Sequence, residues 1–313
     1  MINESQITES KYHHYTYRDT LAASEKIRWR VEDIIGRDQR LDFTKPFMPE
    51  ALARVEQLGF LTPAERLVLN QIRGNGYLCL FGLLEEVILP FVLDHARARL
   101  DEDEYSVRAF LQFASEEAKH IHLFRRFSEE FERGFGTQCA LIGPSAEVAP
   151  AMLSHHPLAV ALIVLQGEWM SQRHYIESVR DNQDLDPLFK SLLKHHWMEE
   201  AQHAKLDTLM VEEMAAAYSR SEIEGAFEEY FEIASFLDGG FKQQAEFDLE
   251  SLTRATGRTL SASDRQKFIE VQHQAYRWTF IGSGMTHENF LATLESIDPA
   301  LRRRAEEAST AFC

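Results

Sequence analysis

Two apolar stretches, LCLFGLLEEVILPFVL (residues 78–93) and HPLAVALIVLQGEWMSQ (156–172), each carry acid where a helix would bury it. A carboxylate enclosed in hydrocarbon costs several kcal/mol or takes up a proton, so it requires a partner. Glu168 is the only acidic residue in the second stretch; in the first, Glu85 and Glu86 compete. At about 100° per residue, Glu85 shares its helix face with Leu78, Phe81, Ile88, Leu89 and Val92, whereas Glu86 turns towards Asn75 and Arg97. Glu85 is therefore the expected buried acid.

Two other segments supply the partners. FASEEAKHIHLF holds Glu117 and His120, and HHWMEEAQHAKL holds Glu200 and His203. One Glu-x-x-His pair is ordinary on an exposed helix face, but two on separate long helices are not. The separations agree: Glu168 precedes Glu200 by 32 residues and Glu85 precedes Glu117 by 32 (200 − 168 and 117 − 85). In antiparallel hairpins, equal separations set each single glutamate at similar depth opposite a Glu-x-x-His. One glutamate from each of two helices, with Glu-x-x-His from each of two others, is the carboxylate-bridged dimetal arrangement. His196 lies four residues before Glu200 and seven before His203, so all three share one stripe of about two turns. It is the candidate seventh ligand, aimed at the same ion as Glu200 and His203. His195, His122 and His174 are read as ordinary residues.

Helical periodicity dominates the chain and strand alternation is nearly absent. A first helix is expected over about 20–36, then an extended stretch around LDFTKPFMPE. Thr62-Pro63 has the form of an N-cap with proline in the first helical position, opening a helix to about residue 99. Further long helices are expected over 103–134, 157–180 and 187–218. GTQCALIGPSAEVAPAM reads as a connector and DNQDLDP as a turn. Helices near 221–256, 262–280 and 298–309 complete the chain. With no low-complexity segment and no linker, residues 1–313 read as one all-α domain with a four-helix bundle at its centre.

The formal net charge of −17, from 50 acidic and 33 basic residues, disfavours a phosphate-backbone partner, so no nucleic acid is expected. The run Arg302-Arg303-Arg304 reads as a solvated helix face. Three widely spaced cysteines without a C-x-x-C pair exclude a disulfide framework or a thiolate metal site. MINESQITESKYHHYTYRD has no apolar segment behind a basic start, and the longest uninterrupted apolar runs fall short of the roughly 20 residues of a membrane helix. A soluble, cytoplasmic protein without a membrane partner is expected.

On these motifs, over about residues 65–215, the chain resembles the ferritin-like diiron carboxylate superfamily. Its H-x-x-x-E-x-x-H (His196, Glu200, His203) is similar to the AurF family of diiron N-oxygenases, which carry a third histidine ligand and oxidise aryl amines to nitro compounds through hydroxylamine and nitroso stages. The resemblance implies a ferritin-like bundle with extra N- and C-terminal helices and a metal site of Glu85, Glu117, His120, Glu168, His196, Glu200 and His203. It also implies two iron ions, with manganese as the other metal suited to oxygen and imidazole donors. Further implications are O2 as co-substrate, a small-molecule amine substrate and a homodimer. Glu117 and Glu200 are the expected bridging carboxylates. Other branches fit less well. Ribonucleotide reductase small subunits place a radical tyrosine where this chain has Phe124, rubrerythrins add cysteine pairs, and ferritins are shorter. Acyl-carrier-protein desaturases share both motifs but do not need His196.

No G-x-G-x-x-G follows a strand, so electrons must come from a separate reductase or a small reductant. The alternatives to N-oxygenation are a diiron desaturase or hydroxylase acting on carbon, and a non-catalytic iron- or manganese-binding protein. A compact pocket with an arginine for a substrate carboxylate would favour the N-oxygenase, and a wide apolar tunnel would favour the carbon oxidant.

Overall fold

The computed structural model describes residues 13–101 and 103–313, so the reading of the extreme N-terminus lies outside the described residues. In place of a helix over 20–36, the chain forms α1 (Tyr17–Ser24) and a single turn, α2 (Val31–Ile34). Trp29, in the break between them, packs its indole against the rings of His120 and His195, with the Lys119 ammonium 3.9 Å from its centroid. This contact with distant residues unwinds a segment whose local periodicity favours helix.

The extended stretch that follows, including the turn α3 (Glu50–Ala53), is pinned by side chains of α4, Asn70 above all. Asn70 accepts from the backbone N–H groups of Phe47 and Met48 at 2.8 and 3.0 Å and donates to the Met48 carbonyl at 2.7 Å. Gly74 is needed beneath it, because a Cβ there would sit 2.7 Å from that of Phe47.

Four long helices make the bundle: α4 (Pro63–Arg97), α5 (Glu104–Phe135), α7 (Pro157–His174) and α8 (Pro187–Ala217). Between the second and third, the expected connector contains α6 (Ser145–Leu153). Their starts are written locally. Thr62 and Glu65 form a reciprocal capping box with Pro63 in the first turn, and Asp103 and Asp186 accept from Ser106 and Phe189 N–H. α5 ends at Gly136, whose φ of 76° suits glycine. Short connections join α4 to α5 and α7 to α8, while the α6 segment crosses between the two hairpins. This is the connectivity of a ferritin-like bundle, and no strand occurs among the described residues.

α9 (Arg220–Thr256), started by the Ser219/Glu222 capping box, packs on α4, α7 and α10 (Ala262–Arg277). α10 continues as a π-helical segment, Trp278–Gly282, into α11 (Ser283–Met285), and α7 likewise loosens into a π segment at Tyr175–Val179. α12 (Glu288–Ile297) was not expected, because its N-cap is His287, which lies outside the usual capping residues. It runs directly into α13 (Pro299–Ser309), where Arg302 pairs with Glu295 and Glu306 and Arg304 with Glu228.

Among the described residues, α4 is the one helix long and apolar enough to cross a membrane by length and composition. Counting uninterrupted runs hid this, since Glu85 and Glu86 break the run without making the helix polar. Half of its most apolar window is buried inside the protein.

Candidate metal centre

The four helices bring all seven expected residues into the bundle interior, each between 0 and 3% exposed. α5 presents Glu117 and His120 towards Glu200 and His203 on α8. His120 Nδ1 lies 3.1 Å from Glu200 Oε1, and His203 Nδ1 lies 2.8 Å from Glu117 Oε1. From α4, Glu85 Oε1 approaches His196 Nε2 at 3.0 Å, and the same nitrogen is 3.1 Å from Glu200 Oε1. Glu168 reaches in from α7 and shares a hydrogen bond with Glu200. Glu86 points away, to a surface ion pair with Arg125.

The cluster fits a pair of cations. Glu85 Oε2, both Glu117 oxygens, Glu168 Oε2, Glu200 Oε1 and the Nδ1 atoms of His120 and His203 are buried and, beyond the imidazole–carboxylate approaches just given, have no hydrogen-bond partner. An orphaned buried carboxylate oxygen is expensive, and so many converging on one point call for positive charge. Ligand atoms from Glu85, His120, His196 and Glu200 lie within 4.8 Å of one another, as do those from Glu117, His120, Glu200 and His203. Oxygen and imidazole donors without thiolate suit iron and manganese. His196 groups with Glu85, His120 and Glu200, and His203 with Glu117 and the same His120 and Glu200. A seven-residue separation spans two turns, enough to carry the His196 ring to the far end of the cluster.

Two further carboxylates, Glu116 and Glu199, hydrogen-bond to the motif histidines from outside the cluster. His203 Nε2–H donates to Glu116 at 2.9 Å, and Ser24 and Gln112 donate to the same carboxylate at 2.6 and 2.9 Å. His120 Nε2–H donates to Glu199 at 2.8 Å, which also pairs with Lys119. Each outer carboxylate fixes the ring of the histidine on the opposite helix and leaves its Nδ1 facing the cluster. The available signal was the doubled acid in each motif, Glu116-Glu117 and Glu199-Glu200.

The two halves repeat at one offset: 168 − 85, 199 − 116, 200 − 117 and 203 − 120 all equal 83. On the stripe that faces the cluster, two positions depart from the repeat in ways that matter for the site. His196 corresponds to Phe113, whose ring stacks on His203 at 3.9 Å, and Asp207 corresponds to Phe124, whose ring meets His196 edge-on at 5.1 Å. Asp207 is fully buried one turn beyond His203, and neither of its oxygens has a partner. His174 stands apart, hydrogen-bonded to the Tyr77 hydroxyl at 3.0 Å and Ser283 Oγ at 2.9 Å. His122 is exposed, and His195 bonds the Ser191 carbonyl at 2.7 Å.

Without cations the cluster holds protons in their place. Burial, reinforced by Glu117, pushes Glu85 up to about 8, and burial raises Glu168 and Asp207 well above the carboxylate range. Burial alone would lower His196, but Glu200 and Glu85 outweigh it and hold the ring at about 9. His120 and His203 are raised against burial in the same way. Burial would also raise Glu200, yet His196 and His203 keep it well below its ordinary value. Glu85 and His196 are therefore protonated at neutral pH and must lose those protons to coordinate. Metal affinity is expected to rise with pH up to about 8–9, with at least about one proton released per chain at pH 7. Anaerobic Fe(II) titration calorimetry in two buffers of different ionisation enthalpy measures the release; zero net protons would contradict this electrostatic picture.

The helix order and donor set define a ferritin-like dimetal carboxylate protein. The chain belongs to the family described as P-aminobenzoate N-oxygenase AurF, whose model matches residues 10–231, and is accordingly an oxidoreductase of the diiron oxygenase class. No curated protein matches it. Among solved structures it is similar to an R2-like ligand-binding oxidase with an aerobically reconstituted Mn/Fe cofactor. The identity is 15%, over 84% of this chain and 92% of that one, with a TM-score of 0.41. A point mutant of the R2-like oxidase with an Mn/Fe cofactor aligns at 13% identity over 85% and 92%, with a TM-score of 0.43. Another with an Fe/Fe cofactor aligns at 15% over 84% and 92%, with a TM-score of 0.41.

Proposed function

We propose that the protein inserts oxygen from O2 into the nitrogen of an amine, at a diiron centre held by Glu85, Glu117, His120, Glu168, His196, Glu200 and His203. The observation that carries this reading is the third imidazole. His196 Nε2 faces the cluster between Glu85 and Glu200, where a four-glutamate, two-histidine site would already be complete. Membership of a family described as N-oxygenases supports the same substrate atom.

A bound and reduced iron pair supplies O2 activation and oxygen-atom transfer. The chain's own groups set the conditions. Glu116 and Glu199 orient the two motif imidazoles, and Phe81, Phe113 and Phe124 pack around His196 and His203 and exclude water. The first stage balances as amine + O2 + 2 electrons + 2 protons → hydroxylamine + water, with the electrons from a separate reductase or small reductant. The proposal carries a homodimeric, cytoplasmic protein that takes up a small-molecule amine.

A second reading, oxidation of a C–H bond, draws support from one observation, a largely apolar cavity beside α4. Incubating the Fe(II)-loaded chain with a chemical reductant, 18O2 and an aryl amine separates the two by product mass. Label in a hydroxylamine, nitroso or nitro product supports N-oxygenation; label only in a carbon-bound hydroxyl would replace it with the second reading.

A further inference from the structure

Between α4, the α6 segment and α9 lies a cavity of about 620 Å³, within the range of small-molecule sites. Its inner wall is apolar: Leu80, Leu237, Phe241 and Phe280 are buried there. Its polar residues, Glu147, Ser235 and Gln243, are all exposed and therefore stand at the mouth, beside Phe236, which is 47% exposed. Among the described residues, the lining contains no lysine, arginine or histidine, and Glu147 is its only acid.

The cavity lies two aromatic rings from the metal centre. Leu84 in its wall directly precedes Glu85, and the Phe280 ring packs 5.6 Å from that of Phe81, which meets His196 edge-on at 5.4 Å. Two aromatic rings separate the cavity from the third imidazole.

α9 contributes two glycines to the lining of this space. Gly239 and Gly240 lie in the interior of a 37-residue helix, where glycine is the least favourable residue after proline, and neither has a left-handed φ. A Cβ on Gly239 would meet nothing within 4 Å. Gly239 is exposed at the cavity mouth, whereas a Cβ on Gly240 would come 3.2 Å from Ile142 Cδ1, which lines the cavity.

Building on the N-oxygenase reading, we infer that this cavity receives the substrate and that the substrate is an uncharged aromatic amine without a carboxylate, unlike p-aminobenzoate. An aromatic amine is neutral at neutral pH, so its nitrogen can cross the apolar floor towards His196 without an ionic partner. A molecule placed that way has its far end at the mouth. A carboxylate there would face Glu147 with no cation to offset the repulsion, and deeper in it would be a desolvated anion.

The test is calorimetric titration of the full Fe(II)-loaded chain without O2, using 4-butylaniline and p-aminobenzoate as probes. The neutral amine is expected to bind at least about 10-fold more tightly than the anion. Gly239→Phe, which sets a ring at the cavity mouth, is expected to weaken that binding at least about 10-fold while iron content stays unchanged, and Gly239→Leu to do so less. Equal or tighter binding of p-aminobenzoate, or butylaniline binding unaffected in an iron-replete Gly239→Phe chain, would overturn the assignment. Binding is read without turnover. If 4-butylaniline binds here but no nitrogen is oxidised, the N-oxygenase reading falls and the site stands. If p-aminobenzoate is oxidised while the cavity binds nothing, the reverse holds.

Discussion

Glu200→Gln is expected to fold normally and to lose both metal ions. Glu200 belongs to both ligand groups, so one substitution removes a donor from each ion. It is also the carboxylate that His196 and His203 hold most firmly ionised, and glutamine keeps its volume without its charge. Loss of an outer hydrogen-bond partner typically weakens metal binding about 10–100-fold, and loss of a shared ligand should exceed that. Elemental analysis after anaerobic Fe(II) loading and desalting should find about two irons per wild-type chain and well under one in the variant. Near-ultraviolet circular dichroism reports whether the fold survives. Two irons retained by a folded Glu200→Gln chain would remove the basis for a shared carboxylate.

Glu168→Leu is expected to make the metal-free protein more stable while abolishing its use of metal. Glu168 is 2% exposed, one of its oxygens has no partner, and burial raises it well above the carboxylate range. A raised acid favours the folded state while protonated and penalises it as pH climbs above the unfolded value near 4.5. Leucine has similar bulk and no such penalty, so metal-free stability should rise by about 1–3 kcal/mol near neutral pH. That corresponds to roughly 2–6 °C in Tm, and the advantage should widen as pH rises above about 5. Saturating Fe(II) should reverse the order, because ligand at about 1,000 times its Kd adds about 4 kcal/mol per site to the wild type alone. Thermal melts with chelator and with Fe(II) measure both signs. A metal-free variant that melts below the wild type would mean that Glu168 is stabilised by contacts other than metal.

These two results bear on why the site was legible at all. Buried acid in an apolar helix has no structural advantage, so Glu85 and Glu168 stand out against their own surroundings. Glu116 and Glu199 do not, since an acid beside another acid resembles a solvated face until the opposite helix is known. Asp207 was equally hidden: it lies one turn beyond His203, on the same stripe as His196, but its neighbours Lys205 and Leu206 do not mark the position as interior.

The sequence by itself determined the four long helices, their caps and the depth at which Glu85, Glu117, His120, Glu168, His196, Glu200 and His203 enter the bundle. Each of those follows from helical period and from chain separation, which are local properties. The tertiary structure alone decided that His196 joins Glu85 and His120, that Glu116 and Glu199 cross to opposite histidines, and that Trp29 breaks the first helix. It also decided that α4, the α6 segment and α9 enclose a cavity whose lining holds no cation. These choices depend on which side chains from different helices share a few ångströms of space, and helical periodicity carries no information about the neighbouring helix.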